Sequence, residues 1–263
     1  MTAVAQSPHV GELLRSWRQR RSLSQLELAL DAVVSSRHLS FVETGRARPS
    51  RDMVLHLAEH LEVPLRERNT LLLAAGYAPM YRERALDAEE MTPVREALDR
   101  FLAAHEPYPA VVVDGHWNLV AGNDALQLLT DGVDPDLFAP PANTLRIALH
   151  PRGMALRTLN LAEWSVHILQ RLRRRAAASG DPELRTLYEE LVRYPGVDPG
   201  PQHGHPEHGD IVVPLRYADP RGHLELLSTV SMFVTAEDIT LAELSIEAFY
   251  PASAATAELL RGR

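Results

Sequence analysis

Over the first third of the chain, apolar residues recur at helical spacing in five short runs. Val10–Arg20 puts Leu13, Leu14 and Trp17 on one side. Leu23–Ala29 forms the next run, and Ser24 with Glu27 three residues on spells a capping box. The third run lies between Ser35, whose hydroxyl can cap a helix, and Gly45, which can end one in the left-handed conformation. Within it Leu39 and Val42 turn inward, while Ser36, Arg37, Ser40, Phe41 and Thr44 form the outer side. Pro49 forbids continuation, and Ser50 is placed to cap a fourth helix near Arg51–Leu61. A fifth follows near Leu65–Ala74, and Gly76-Tyr77-Ala78-Pro79 closes the unit. Short amphipathic helices on short joints predict a compact all-α domain over residues 8–79.

The pattern then changes. Residues 80–90 mix Arg with acids, lack a clean apolar face and read as a linker. Met91–Ala104 returns to helical spacing through Val94, Leu98, Phe101 and Leu102. Tyr108–Ala121 is two β runs about a turn at Asp114-Gly115, a strong hairpin signal, and Asn123 is placed to cap a helix over Asp124–Thr130. Helices are predicted at Leu161–Ala177 and Glu183–Tyr194, and strands at Ile211–Tyr217, Leu224–Val234 and Leu241–Tyr250. A last helix begins near Ser253. Residues 91–263 therefore predict an α+β domain, a five-stranded antiparallel sheet with helices on one face.

Charge divides as the pattern does. Residues 1–80 hold ten Arg against eight acids, and residues 81–263 hold 17 Arg against 27 acids. An acidic body is repelled by phosphate, so contact with nucleic acid is assigned to the first domain alone. The basic run Arg171–Arg175 is read as complementing a helix C-terminus. All 27 basic residues are Arg, which fits a GC-rich genome better than a mechanism. Without Cys, disulfides and thiolate metal sites are excluded. No apolar run reaches membrane-spanning length and no signal-peptide pattern opens the chain, so a cytoplasmic protein is expected.

Residues 8–78 resemble the Cro and lambda-repressor class of helix-turn-helix domains, through Leu23-Ser-Gln-x-Glu-Leu-Ala29 and Leu39-Ser-x-x-Glu43-x-Gly45-x-x-x-Pro49-Ser50. The resemblance implies double-stranded DNA as partner and a phosphate contact from Gln25. It implies base reading by Ser36 and Arg37, with Ser35, Ser40, Phe41 and Thr44 beside them, and a buried pair between Arg18 and Glu43. Arg46 and Arg48 are placed like phosphate clamps. Two departures stand out. Val33 occupies the place where the turn usually holds Gly, so its backbone must avoid the left-handed region or accept strain. Phe41 replaces a polar reader, to touch a thymine methyl or to pack on its neighbour.

The whole chain resembles the MmyB-like transcription regulators, which join such a domain to a PAS-like ligand domain. Arg37–Phe41, Gly45–Ser50, Pro64–Asn69, Leu72–Pro79, Pro107-Tyr-Pro109, Trp117-Asn118, Asn123, Asn160–Trp164 and Glu247–Pro251 carry that likeness. It implies a homodimer whose second domain holds a small apolar molecule such as a fatty acid. A ligand-free module for dimerisation or protein docking is the alternative. Trp117, Asn123, Trp164, Arg216 and Phe233 are the candidate ligand-binding residues, Arg216 for a carboxylate. Leu224–Val234 is apolar on both faces, so both need cover. His203, His205 and His208 invite a metal, but the Gly and Pro around them favour a solvated loop, and no metal or cofactor is assigned. No phosphate-cradling loop, HExxH or Gly-x-Ser-x-Gly elbow is present, so no enzyme is expected.

Overall fold

A computed structural model describes residues 9–200 and 213–262. The chain divides into two units. The first takes in the chain to Arg84 with Ala177–Ser179 and Ala236–Ile239, and the second takes in the rest.

The first unit is helical: α1 (Val10–Arg20), α2 (Gln25–Asp31), α3 (Ser36–Glu43), α4 (Arg51–His60) and α5 (Leu65–Ala74). Side-chain caps open four of them. His9 Nδ1 accepts from Gly11 N, and Ser24, Ser35 and Ser50 each accept from the amide three residues on. Ser24 and Glu27 complete the capping box, which moves the start of α2 to Gln25.

All five helices end alike, with paired backbone bonds that satisfy the last carbonyls. In α2, Val33 N donates to Leu30 O and Val34 N to Ala29 O. Gly45 and Gly76 supply the left-handed residue after α3 and α5, but Ser22, Val33 and Glu62 do so after α1, α2 and α4. Val33 has thus taken the strain, at φ 52°. Leu14, Trp17, Leu28, Leu39, Val42, Leu57, Leu61 and Leu72 fill the core. Gly11 lets α1 lie against α3, since a Cβ there would stand 2.1 Å from Val42 O.

The second unit opens with α6 (Thr92–Ala104), β1 (Ala110–Val113) and β2 (Leu119–Gly122). After a 3-10 turn come α7 (Gln127–Thr130), α8 (Thr144–Leu149), α9 (Leu161–Ser179) and α10 (Pro182–Leu191). It closes with β3 (Leu215–Asp219), β4 (Gly222–Met232), α11 (Ile239–Glu243), β5 (Ser245–Pro251) and α12 (Ala254–Arg261). The five strands are antiparallel in the order β2-β1-β5-β4-β3.

Helices cover both sheet faces, not one. Val111, Val113, Tyr217, Leu224, Leu226 and Phe249 pack with residues of α7–α10 and α12, while Ala110, Val112, Ile246 and Ala248 pack with Leu98 and Leu102 of α6. The reason lies in β1, where all four residues are buried and each face therefore needs a cover. The last strand starts at Ser245 because the three-residue spacing of Leu241 and Leu244 forms a helical turn facing α6. Asn123 does not cap the following turn: its Oδ1 accepts from Ala110 N and its Nδ2 donates to Tyr108 O. No described helix is long and apolar enough to cross a membrane. The His203, His205 and His208 loop lies outside the described residues.

Candidate DNA-recognition face and ligand cavity

One buried ion pair sets α3 against α1. Arg18 Nε and Nη2 donate to Glu43 Oε1 and Oε2 at 2.7 and 2.9 Å, and Arg18 Nη1 donates to Leu23 O at 2.7 Å. Its hydrogen bond to Glu43 raises the pKa of Arg18. Gln25 joins it, its amide donating to Glu43 Oε2 at 2.7 Å. One N–H of that amide is thereby fixed, and the second remains available at the start of α2.

The outward side of α3 is open. Ser35, Ser36, Arg37 and His38 are exposed, Ser40 and Phe41 half-buried, and Leu39, Val42 and Glu43 buried. Ser35 Oγ is occupied as the cap, and Thr44 Oγ1 donates to Ser40 O at 2.7 Å. Arg37 lies over the Phe41 ring, 5.4 Å from its centroid, so Phe41 packs on its neighbour one turn away and steadies the guanidinium. Arg46 is exposed, and its side chain has no polar partner among the described residues. Arg48 is engaged differently: Nε and Nη2 donate to Ala75 O at 3.3 and 3.0 Å, and the guanidinium sits over Tyr77. It braces the end of α5.

The second unit holds a cavity of about 70 Å³ between the sheet and α7–α9. Its wall is apolar, with Val111, Leu129, Phe138, Ile147, Met154, Trp164 and Phe249 prominent. Two charges interrupt it. Arg171 Nη1 and Nη2 donate to Glu247 Oε1 and Oε2 at 3.3 and 3.1 Å, so the wall carries a neutralised pair. Arg171 and Arg175 both lie over Trp117, at 5.6 and 5.0 Å from its ring centre, and burial lowers the pKa of Arg175. Trp117 itself has φ 64° while almost fully buried, a strained position for an aromatic residue. Behind the cavity, Arg146 of α8 makes a forked bond to Glu190 of α10, which draws the pKa of Glu190 down.

Of the five candidate ligand residues, only Trp164 lines the cavity. Trp117 lies under Arg171, outside the lining, and Asn123 is consumed in tying the start of β1. Arg216 is exposed and faces Glu225 across β3 and β4 at 3.6 Å, while Phe233 packs on the opposite sheet face. The Arg171–Arg175 run does not end a helix, because α9 continues to Ser179 and stops at left-handed Gly180. Arg171 and Glu247, not among the candidates, are the charged residues of the cavity wall. Their signal was positional: Arg171 extends the inner stripe of Trp164 and Ile168, and Glu247 shares a strand face with Phe249.

The ligand-binding domain family of MmyB-like transcription regulators matches residues 94–262, and a helix-turn-helix domain family matches residues 9–71. No curated protein matches the chain. Among solved structures, an RNA-binding light-oxygen-voltage receptor is similar at 14% identity and a TM-score of 0.25. That match covers all of this chain, which spans 61% of the receptor's length, and at such a score it does not bear on fold or function. A helix-turn-helix with the outward side of α3 exposed, followed by an α+β domain with an apolar cavity, completes the pattern, and the chain belongs to the MmyB-like transcription regulators, which are DNA-binding proteins.

Proposed function

We propose that the protein reads double-stranded DNA as a homodimer, with α3 in the major groove, and answers to a small apolar effector such as a fatty acid. The reading rests chiefly on α3, where exposed Ser36 and Arg37 stand on a helix anchored from behind by Glu43. Arg37 offers a bidentate donor to guanine, and Ser36 and Ser40 are short donors beside it. Gln25, through its second amide N–H, and Arg46 contact phosphate. Two copies would present α3 to half-sites ~34–36 Å apart. Arg37→Ala is expected to cost about 1–3 kcal/mol and relax preference at one base position. Arg46→Ala is expected to weaken all sequences alike and to flatten the salt dependence. Equal losses on every sequence for both variants would remove Arg37 from base reading.

The effector half rests on the cavity. Its ~70 Å³ is small beside an ordinary ligand pocket of roughly 300–1,000 Å³, so a long acyl chain must push the wall apart. An anionic head near Arg171 would also share that guanidinium with Glu247. Native mass spectrometry of the purified chain is the check. A retained small apolar molecule supports sensing, and none, with no gain in thermal stability from added fatty acids, favours a module for dimerisation or docking alone.

A further inference from the structure

β4 outruns its outer neighbour. The ladder with β3 spans Gly222–Leu226 of β4 and no further, whereas the ladder with β5 runs from Leu226 to Met232. Just ahead of β3, Val213 packs into the core and Pro214 O accepts from Asn160 Nδ2. Backbone direction along the bare stretch follows from its neighbour. Phe249 N points away from β4, to Pro109 O at 2.9 Å, while Ala252 N donates to Glu225 O at 2.7 Å. Alternation then turns Leu227, Thr229 and Ser231 toward β5, and leaves the amides and carbonyls of Ser228, Val230 and Met232 facing outward. Among the described residues nothing pairs with them.

That edge lacks the usual protections. From Leu226 to Ala236 no residue is charged and none is Pro, and Val230 and Met232 are 44% and 54% exposed. The absence of charge also selects the partner. A strand of this kind can lie antiparallel beside an identical strand without bringing like charges together. A twofold axis at Val230 sets Val230 opposite its counterpart and Ser228 opposite Met232 of the second copy, each with its outward backbone groups in register. We propose that the bare β4 edges of two copies pair antiparallel about Val230, joining their sheets into one. The inference rests on the homodimer reading above and names its surface.

The test uses the full chain in analytical ultracentrifugation. Wild type is expected to be a dimer, and Val230→Lys/Met232→Lys to weaken it by ~100-fold or more through like-charge repulsion. Leu156→Lys, an equally apolar and more exposed site away from this edge, should change nothing. Because the chain has no Cys, Val230→Cys gives a clean second readout: a short bis-maleimide should join two copies through it and should not join Leu156→Cys. A wild-type dimer that survives the double Lys change, with no linkage at Val230→Cys, overturns the edge and leaves the homodimer standing. A wild-type monomer that still prefers one DNA sequence overturns both and leaves base reading intact.

Discussion

The two units solve opposite problems with their polar groups. In the first, nearly every polar device immobilises: four side-chain caps, five paired helix ends and a forked Arg18–Glu43 bond hold α3 from behind its exposed face. In the second, polar groups sit where something else could enter, with Arg171 and Glu247 in a cavity wall and, along β4, backbone that no other described residue pairs with. A reader of base edges needs a helix that does not shift between partners, because geometry carries specificity. A sensor needs space and a few bonds that can be exchanged.

Breaking the lock should produce the largest effect. Arg18→Ala leaves Glu43 buried without its partner, and about 3–5 kcal/mol of stability should be lost from the first unit. Chemical denaturation measures it, and a loss below 1 kcal/mol would mean that packing and the Gln25 bond, not the ion pair, hold α3. Gly11→Ala attacks the same seam by volume. A methyl group 2.1 Å from Val42 O must push α1 from α3, at a cost of ~1–3 kcal/mol, in the same denaturation assay. Val33→Gly sharpens the comparison in the other direction, releasing a left-handed β-branched residue and raising stability by about 1 kcal/mol. The second unit should differ in its response to acid. Its Glu190 carboxylate is held by Arg146, so its folded pKa lies below 4.5, the unfolded value. Stability from this bond is full above that value and is lost as pH falls through the folded pKa. Thermal melts of wild type and Glu190→Gln should therefore differ at neutral pH and converge only as pH falls through the folded pKa, and a difference that persists in stronger acid would contradict the assignment.

The first unit was legible because its signals are local. Ser24 with Glu27, Ser35, Gly45 and Ser50 fix helix ends through bonds spanning three or four residues, and helical spacing sorts Leu39 and Val42 from Ser36 and Arg37. Gly11 is not legible in the same way, because its reason for being Gly is a carbonyl on another helix. The second unit gave up its strands but not its site. The hairpin at Asp114-Gly115 and the alternation in β5 are short-range patterns, whereas the cavity is assembled from β1, β2, β5 and α7–α9, and no spacing brings Arg171 to Glu247. Arg216 and Phe233 stand out in sequence as a strand Arg and an aromatic residue, yet which sheet face each occupies depends on register with β4 and on the helices behind it.

Selection of wild-type protein against a pool of random duplex DNA tests the central claim, that a fixed α3 reads base edges. The account predicts enrichment of one motif in two symmetric half-sites about one helical turn apart, with a guanine at the position lost in Arg37→Ala. Recovery of duplexes sharing no sequence, with affinity set by salt alone, would contradict it.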